Sequence, residues 1–479
     1  MAATEPKGHG QHAGLWVFPD VSVMSREVTE KTKSSPRPLT MALVVTGILF
    51  VLGIVGFIAR AADDGFNDIS AWGYYLSVFS MVFMVTSGAP LAAVAFRFTK
   101  SHWRRPLSRV SELFAIAGIL NILLFIPLMF LLPSIGNPDA VGGLIEGELA
   151  VRRTIWFEAP IGSPHAWDLV GVAGLVVTAL FILWLSAMPD MAESRHTATG
   201  FRRTLYSKLS GNWYGTKKQW NAQKAGLALL GAFYFMTLIF MQFVISSDYA
   251  QSLIPGWKDS IFPVIYTITS LHMGLGAVLV TLFILRRFGG YDGYIGKSTF
   301  WSASKVMLGI TLLWIYHLFA FFITFWYGRL EVEQNIIKYL ITDTYAIIFL
   351  LNLAFSFVLP FAVLIWNPVR RSDWGPALAG GLLIVGGIMF NIRIFVGSAN
   401  AAPGSDIYAY FFEHVPSPVY PDIWDVFMVI GGLAAAAFVY LLATRLLPVL
   451  SLWEVKEGAL YQKWGKLHRG EYLILGKPE

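Results

Sequence analysis

Long apolar runs recur from end to end of the chain, and no other feature restricts its fold as much. They lie near 41 to 60, 72 to 96, 110 to 133, 167 to 188, 223 to 246, 261 to 286, 301 to 327, 341 to 366, 374 to 396 and 422 to 446. At about 1.5 Å per helical residue, such runs cross the roughly 30 Å hydrocarbon core of a bilayer. Backbone groups in lipid must be satisfied internally, and these runs show no polar/apolar alternation, so helix is the state they predict. The fold class expected is an all-α polytopic membrane protein with about ten transmembrane helices. With 56% hydrophobic and only 14% charged residues, the chain is too apolar for a soluble globule. A polar tail, 1–40, is expected ahead of a membrane domain, 41–446, with a second tail, 447–479, after it. The first tail lacks the apolar core and small-residue cleavage site of a signal peptide.

The chain contains no cysteine. That excludes disulfides, thiolate zinc and iron–sulfur clusters held by its own thiolates, so a relay of that kind belongs to a partner. The net charge of +6 does not call for nucleic acid, because Lys and Arg gather in the loops on one side. Arg97, Lys100, Arg104, Arg105 and Arg109 follow the second run, and Arg195, Arg202, Arg203, Lys208, Lys217 and Lys218 follow the fourth. Arg286, Arg287 and Lys297 follow the sixth, and Arg370 and Arg371 the eighth. The intervening loops carry acids instead, among them Asp63, Asp64, Asp68, Glu146, Glu148, Asp259, Glu331 and Glu333. The positive-inside rule then places both termini in the cytoplasm. The basic insert near 195 to 222, with its Trp213-Tyr214-Gly215 turn, is expected on that surface, within reach of anionic headgroups.

Ionisable groups near helix ends are costly in a membrane, which makes them functional candidates. At the outer ends lie His165 and Asp168, Asp248, Asp343 and Arg393; near mid-depth lie His272 and His317; Glu112 sits at a cytoplasmic end. Each has an ordinary reading as well. Asp168 suits a helix N-terminus, Arg393 can snorkel, and Glu112 can pair with Arg109 three residues earlier. His272 and His317 can bond between helices rather than ligate haem. A quinol needs an apolar slot, a proton acceptor and a donor for its second oxygen. His165 and Asp168 are close enough to share one wall of such a slot, with Trp167 and Trp156 as ring contacts. Glu112, His272, His317 and Asp343 are candidates for a proton path. A transporter would show paired Gly or Pro interruptions near mid-membrane, and Gly274, Gly276 and Gly309 do not form them.

Ser163-Pro164-His165-Ala166-Trp167-Asp168 resembles the Ser-Pro-Leu-x-Trp-Asp signature of NrfD/PsrC-type (polysulfide reductase) membrane subunits, preceded, as there, by Arg109-Val110-Ser111-Glu112. The stretch from Val244 to Pro263, Phe325-Trp326-Tyr327-Gly328 and Leu447 to Lys456 are similar to the larger NrfD-like subunit of bacterial alternative complex III. The resemblance implies two four-helix bundles flanked by the first and last helices. It implies menaquinol as substrate at the outer face, no haem, iron–sulfur cluster or metal on this chain, and coupling to proton translocation. The partners implied are an outer iron–sulfur subunit, a c-type haem subunit and a second NrfD-like subunit, in the bacterial inner membrane. One departure stands out: the family's His-Leu-Gly-Arg run after the third helix is missing from Pro127 to Pro133. Either His165 takes that histidine's place, or the chain is a paralogue that binds no quinone and serves as an anchor or proton conductor.

Overall fold

The computed structural model describes residues 21 to 475, apart from 35, 67, 132–150, 154–157, 161–162, 255, 402–414 and 469. Among these residues, ten helices are long and apolar enough to cross a membrane. A short helix, α1 (Val21–Lys33), comes first. The spans that follow are α2 (Arg37–Asp63), α3 (Ile69–Phe98) and α4 (His102–Leu131). Next come α5 (Ser163–Ser194), the short α6 (Gly200–Leu209) and α7 (Lys217–Tyr249). After α8 (Phe262–Phe288) and α9 (Lys297–Gly328) come the short α10 (Glu331–Ile337), α11 (Ala346–Leu364) and α12 (Trp374–Ala401). The last span is α13 (Ile423–Leu446), and a final helix, α14 (Leu452–Leu460), follows it. Two short antiparallel hairpins, Val151–Arg153 with Glu158–Pro160 and Gln462–Leu467 with Gly470–Leu475, complete the described elements.

Helix α3 is the most buried span. It packs on α4 and α7, and α5 closes against both of these. Helix α8 packs on α9 and α12, with α11 against both, and the α3–α8 contact joins the two groups. The pair α2 and α13 lies against α3. Lipid is as apolar as a leucine, so these contacts depend on close approach and polar bonds rather than on burial from water. At the α3–α8 crossing, a Cβ on Gly274 would stand 2.3 Å from the carbonyl carbon of Gly88. At α2–α13, one on Gly431 would stand 2.2 Å from Gly53 Cα. Only glycine permits either approach.

Three π-helical turns interrupt the second half, at Lys338–Thr342, Ala354–Val358 and Ile392–Val396. Asn352 Nδ2 spans the middle one, donating to Ser356 Oγ and Gly386 O, both at 2.9 Å.

The described residues on either side of the spans carry structure of their own. The N-terminal segment is not simply polar chain: α1 touches α13 and α14, and Tyr294 Oη donates to Glu27 at 2.6 Å. Arg445 bonds the carbonyls of Lys33 and Ser34. The two ends of the described chain therefore meet at one end of the helices, here called the terminal face. The third span begins at His102 rather than near 110, and its helical segments are separated by single residues at Leu113 and Gly118.

Candidate functional site

Two polar clusters lie at opposite ends of the helices. At the end away from the termini, the first turn of α5 carries His165 and Asp168, three residues apart and therefore on one face of the helix. Both are buried, at 2% and 6% exposure. The last turn of α7 meets them: Tyr249 Oη donates to Asp168 Oδ2 at 2.9 Å. The His165 ring stands edge-on to the Tyr249 ring, with centroids 6.0 Å apart. Tyr249 is fully buried and also packs edge-on against Phe125. Its neighbour Asp248 is buried at 3% exposure. Trp167, between the two buried residues, is 71% exposed and is not part of this cluster. Trp156 lies outside the described residues.

The turn Gln251–Leu253 after α7 touches the last turn of α12. One turn before that contact, in the π segment, sits Arg393, at 4% exposure. Its Nη1 donates to Leu340 O at 3.2 Å, and its guanidinium lies 5.2 Å from the Phe349 ring centre and 5.7 Å from that of Phe390. Among the described residues Arg393 has no acidic partner. Nearby, Asp259 caps α8 by accepting from Ile261 N at 2.8 Å and Phe262 N at 3.1 Å. Burial pushes its carboxyl up to about 6, helped by Glu333 and opposed by those two N–H groups. Asp343 is exposed beside the first π turn. Arg60, which the sequence did not single out, pairs with Asp64, Asp422 and Asp425 at 2.9, 2.7 and 2.9 Å.

The remaining candidates lie elsewhere. His272 is buried on α8, its Nε2 3.3 Å from Thr311 Oγ1. His317 is half-buried on α9 and meets the Leu313 carbonyl of its own helix. The structure does not join these two histidines to the Asp168 cluster. Among the described residues no group of three or more His, Asp or Glu could hold a metal ion.

Glu112 belongs to the second cluster, at the terminal face. Its carboxylate pairs with Arg97 and, at 3.2 Å, with Arg109. Arg109 also reaches Asp190 at 2.9 Å. Glu454 of α14 closes the set, 2.9 Å from Arg97 and 2.7 Å from Arg104. All six groups are buried or nearly so. Sequence reasoning counted Arg97, Arg104 and Arg109 as loop charges; the structure buries them under α14. Spacing had offered the Arg109–Glu112 pair, but Asp190 and Glu454 are far away in sequence, so their part in the cluster left no signal. Tyr249 was likewise missed, although it adjoins Asp248 in a stretch that stood out.

A comparison with curated proteins returned no match. The model of the family described as polysulphide reductase, NrfD, matches residues 64–401, a span that holds every described member of both clusters except Arg60, Asp422, Asp425 and Glu454. That is well over half of the chain, and the chain therefore belongs to the NrfD polysulphide reductase family.

Proposed function

We propose that this chain is the quinol-binding membrane subunit of an electron-transfer complex resembling alternative complex III, and that it oxidises a menaquinol-type quinol at the face away from its termini. Its family supports the coarser statement, that of a membrane subunit of quinone-linked oxidoreductase complexes. The observation that carries the finer one is the buried Asp168 carboxylate, held at 2.9 Å by Tyr249 with His165 beside it. Placing a carboxylate at 6% exposure at a membrane helix end is costly unless it has a task.

A quinol surrenders two protons and two electrons. In this reading one hydroxyl proton passes to Asp168, whose second oxygen stays oriented by Tyr249, and the other leaves through His165. The two electrons would pass to an acceptor on a partner subunit, for which the resemblance implies an iron–sulfur centre and c-type haem. Arg393, across the Gln251–Leu253 turn, offers a positive charge to the oxygen that loses its proton. The two groups of four spans, read as bundles flanked by α2 and α13, hold these elements in place.

The test is Asp168→Asn in the intact complex. Proton transfer by a placed base is worth roughly 100- to 10,000-fold, so quinol-dependent turnover should fall at least about 100-fold. Tyr249→Phe should cost roughly tenfold and shift the pH profile. Unchanged turnover and quinone affinity in Asp168→Asn would remove the proposal.

A second reading, proton conduction without quinol chemistry, is favoured by one observation. Tyr234, Gln242, Ser87 and Ser270 form a buried hydrogen-bonded set between the two clusters. In that case Glu112→Gln in proteoliposomes abolishes proton movement while Asp168→Asn leaves electron transfer intact.

A further inference from the structure

A cavity of ≈ 530 Å³ opens at the terminal face between the ends of α5, α6 and α7. It belongs to neither cluster described above. Trp184, Leu185 and Met188 of α5 form its apolar wall, and Lys208, Ser210 and Gln223 supply its polar groups. Ser210 and Gln223 are almost fully buried, at 0% and 1% exposure. Gln223 Nε2 donates to Leu185 O at 3.1 Å, which fixes the amide so that Oε1 is its free end. That Oε1 and the Ser210 hydroxyl are both buried without a partner. A buried polar atom left unpaired is costly, so two such atoms in residues lining one cavity point to an occupant with both acceptor and donor groups.

The surroundings indicate which occupant. From Arg195 to Lys224 the chain carries Arg195, Arg202, Arg203, Lys208, Lys217, Lys218 and Lys224 and no acid. Away from the cavity, Trp184, Phe181 and Val177 line the outer side of α5, at 38%, 50% and 45% exposure. Spaced three and four residues apart, they make one apolar stripe leading from the cavity toward the hydrocarbon. Trp184 Nε1 is anchored to Leu209 O at 2.9 Å, which ties the stripe to the cavity rim. A free anion would use the charge but not the stripe, and a neutral lipid would use the stripe but not the charge.

We infer that this cavity binds the headgroup of an anionic glycerophospholipid whose headgroup bears hydroxyls, with phosphatidylglycerol as its simplest form. The phosphate sits against Lys208 and accepts from the Ser210 hydroxyl, a headgroup hydroxyl donates to Gln223 Oε1, and an acyl chain follows the Trp184–Phe181–Val177 stripe. The cavity volume falls within the roughly 300–1,000 Å³ of small-molecule sites.

The test uses the full-length chain, purified, delipidated and titrated with phosphatidylglycerol or phosphatidylcholine, with bound lipid counted by native mass spectrometry. Phosphatidylglycerol should be retained at one copy under conditions that strip phosphatidylcholine. Lys208→Gln and Ser210→Ala should each lower its retention at least fivefold, whereas Lys297→Gln, an exposed lysine elsewhere on the same face, should not. Lys208 is exposed and Ser210→Ala removes a single atom, so both variants should fold; equal melting temperatures check this. Equal retention of the two lipids, or no effect of either variant, overturns the inference. So does displacement by glycerol phosphate at concentrations matching those of the lipid, because the site would then take the soluble headgroup alone. Retention lost whenever native partner subunits co-purify also overturns it, showing that a protein covers the groove.

Discussion

Glu454→Gln is the perturbation whose size follows most directly from the structure. The carboxylate is fully buried, 2.9 Å from Arg97 and 2.7 Å from Arg104. After substitution Arg97 keeps Glu112, but Arg104 is left with Ser108 Oγ at 3.3 Å. Removing one partner of a buried ion pair costs about 3–5 kcal/mol, because the other charge stays buried. Glutamine keeps the volume and one acceptor, so the low end, about 3 kcal/mol, is expected. That loss falls on the docking of α14 and amounts to roughly a 100-fold larger open population, at about 1.4 kcal/mol per tenfold.

The chain has no cysteine, so a single Ser451→Cys reporter, at a fully buried position, measures that opening through its maleimide labelling rate. Labelling should accelerate roughly 100-fold in the Glu454→Gln background. The effect also has a pH signature. Burial alone raises this carboxyl, but Arg104 and Arg97 outweigh burial and hold it down at about 2, against 4.5 in the unfolded chain. A depressed carboxyl stabilises the fold fully above its unfolded value and loses that contribution as pH falls toward its folded value. The difference between the two backgrounds should therefore be flat from pH 8 to about pH 5 and shrink below about 4.5. Replacing Glu454 and Arg104 together by Met should recover most of the loss. A labelling change below threefold, or no recovery in the double variant, would refute the idea that this pair holds α14 in place.

Other outcomes follow from the same geometry. Gly274→Val drives a side chain into the Gly88 backbone, where even a Cβ would stand 2.3 Å away, and should lower the melting temperature or prevent recovery of folded protein, since overpacking costs about 1–3 kcal/mol or more. Asp259 has the opposite sign to Glu454. With its folded value raised to about 6 against 3.8 unfolded, it favours the fold below about pH 4 and loses that contribution as pH rises through 6. Asp259→Asn keeps one of the two capping acceptors, which lowers stability by a pH-independent amount, and should remove this slope, so the difference in melting temperature between the two proteins should change progressively between pH 4 and 6; a constant difference would show that the carboxyl is not raised.

Several elements were legible from residue order because the bilayer imposes a simple demand. Runs such as Met41 to Arg60 and Ile261 to Arg286 can only be helices in lipid, and their number follows from length alone. Asp168 and Arg393 stood out because ionisable groups in such runs are rare. Their surroundings were less legible. The third span was placed too late because Arg104, Arg105 and Arg109 look like loop charges until Glu454, from the far end of the chain, is found among them. The π turns near Arg393 left no mark either, because one extra residue in a helical turn does not change hydropathy.

What the order of residues determined by itself, then, is the class of the molecule and the ionisable side chains, such as Asp168 and Arg393, that stand out at the helix ends, since both depend on the local cost of placing a polar group in hydrocarbon. Tertiary structure alone decided the pairings: Tyr249 on Asp168, Glu454 between Arg97 and Arg104, Gly88 against Gly274, and a cavity beside Ser210 and Gln223. Helices in lipid are stable one by one, and partner choice turns on fit and on hydrogen bonds between residues remote in sequence. Such contacts have no periodicity to read, and they appear only once the helices are packed.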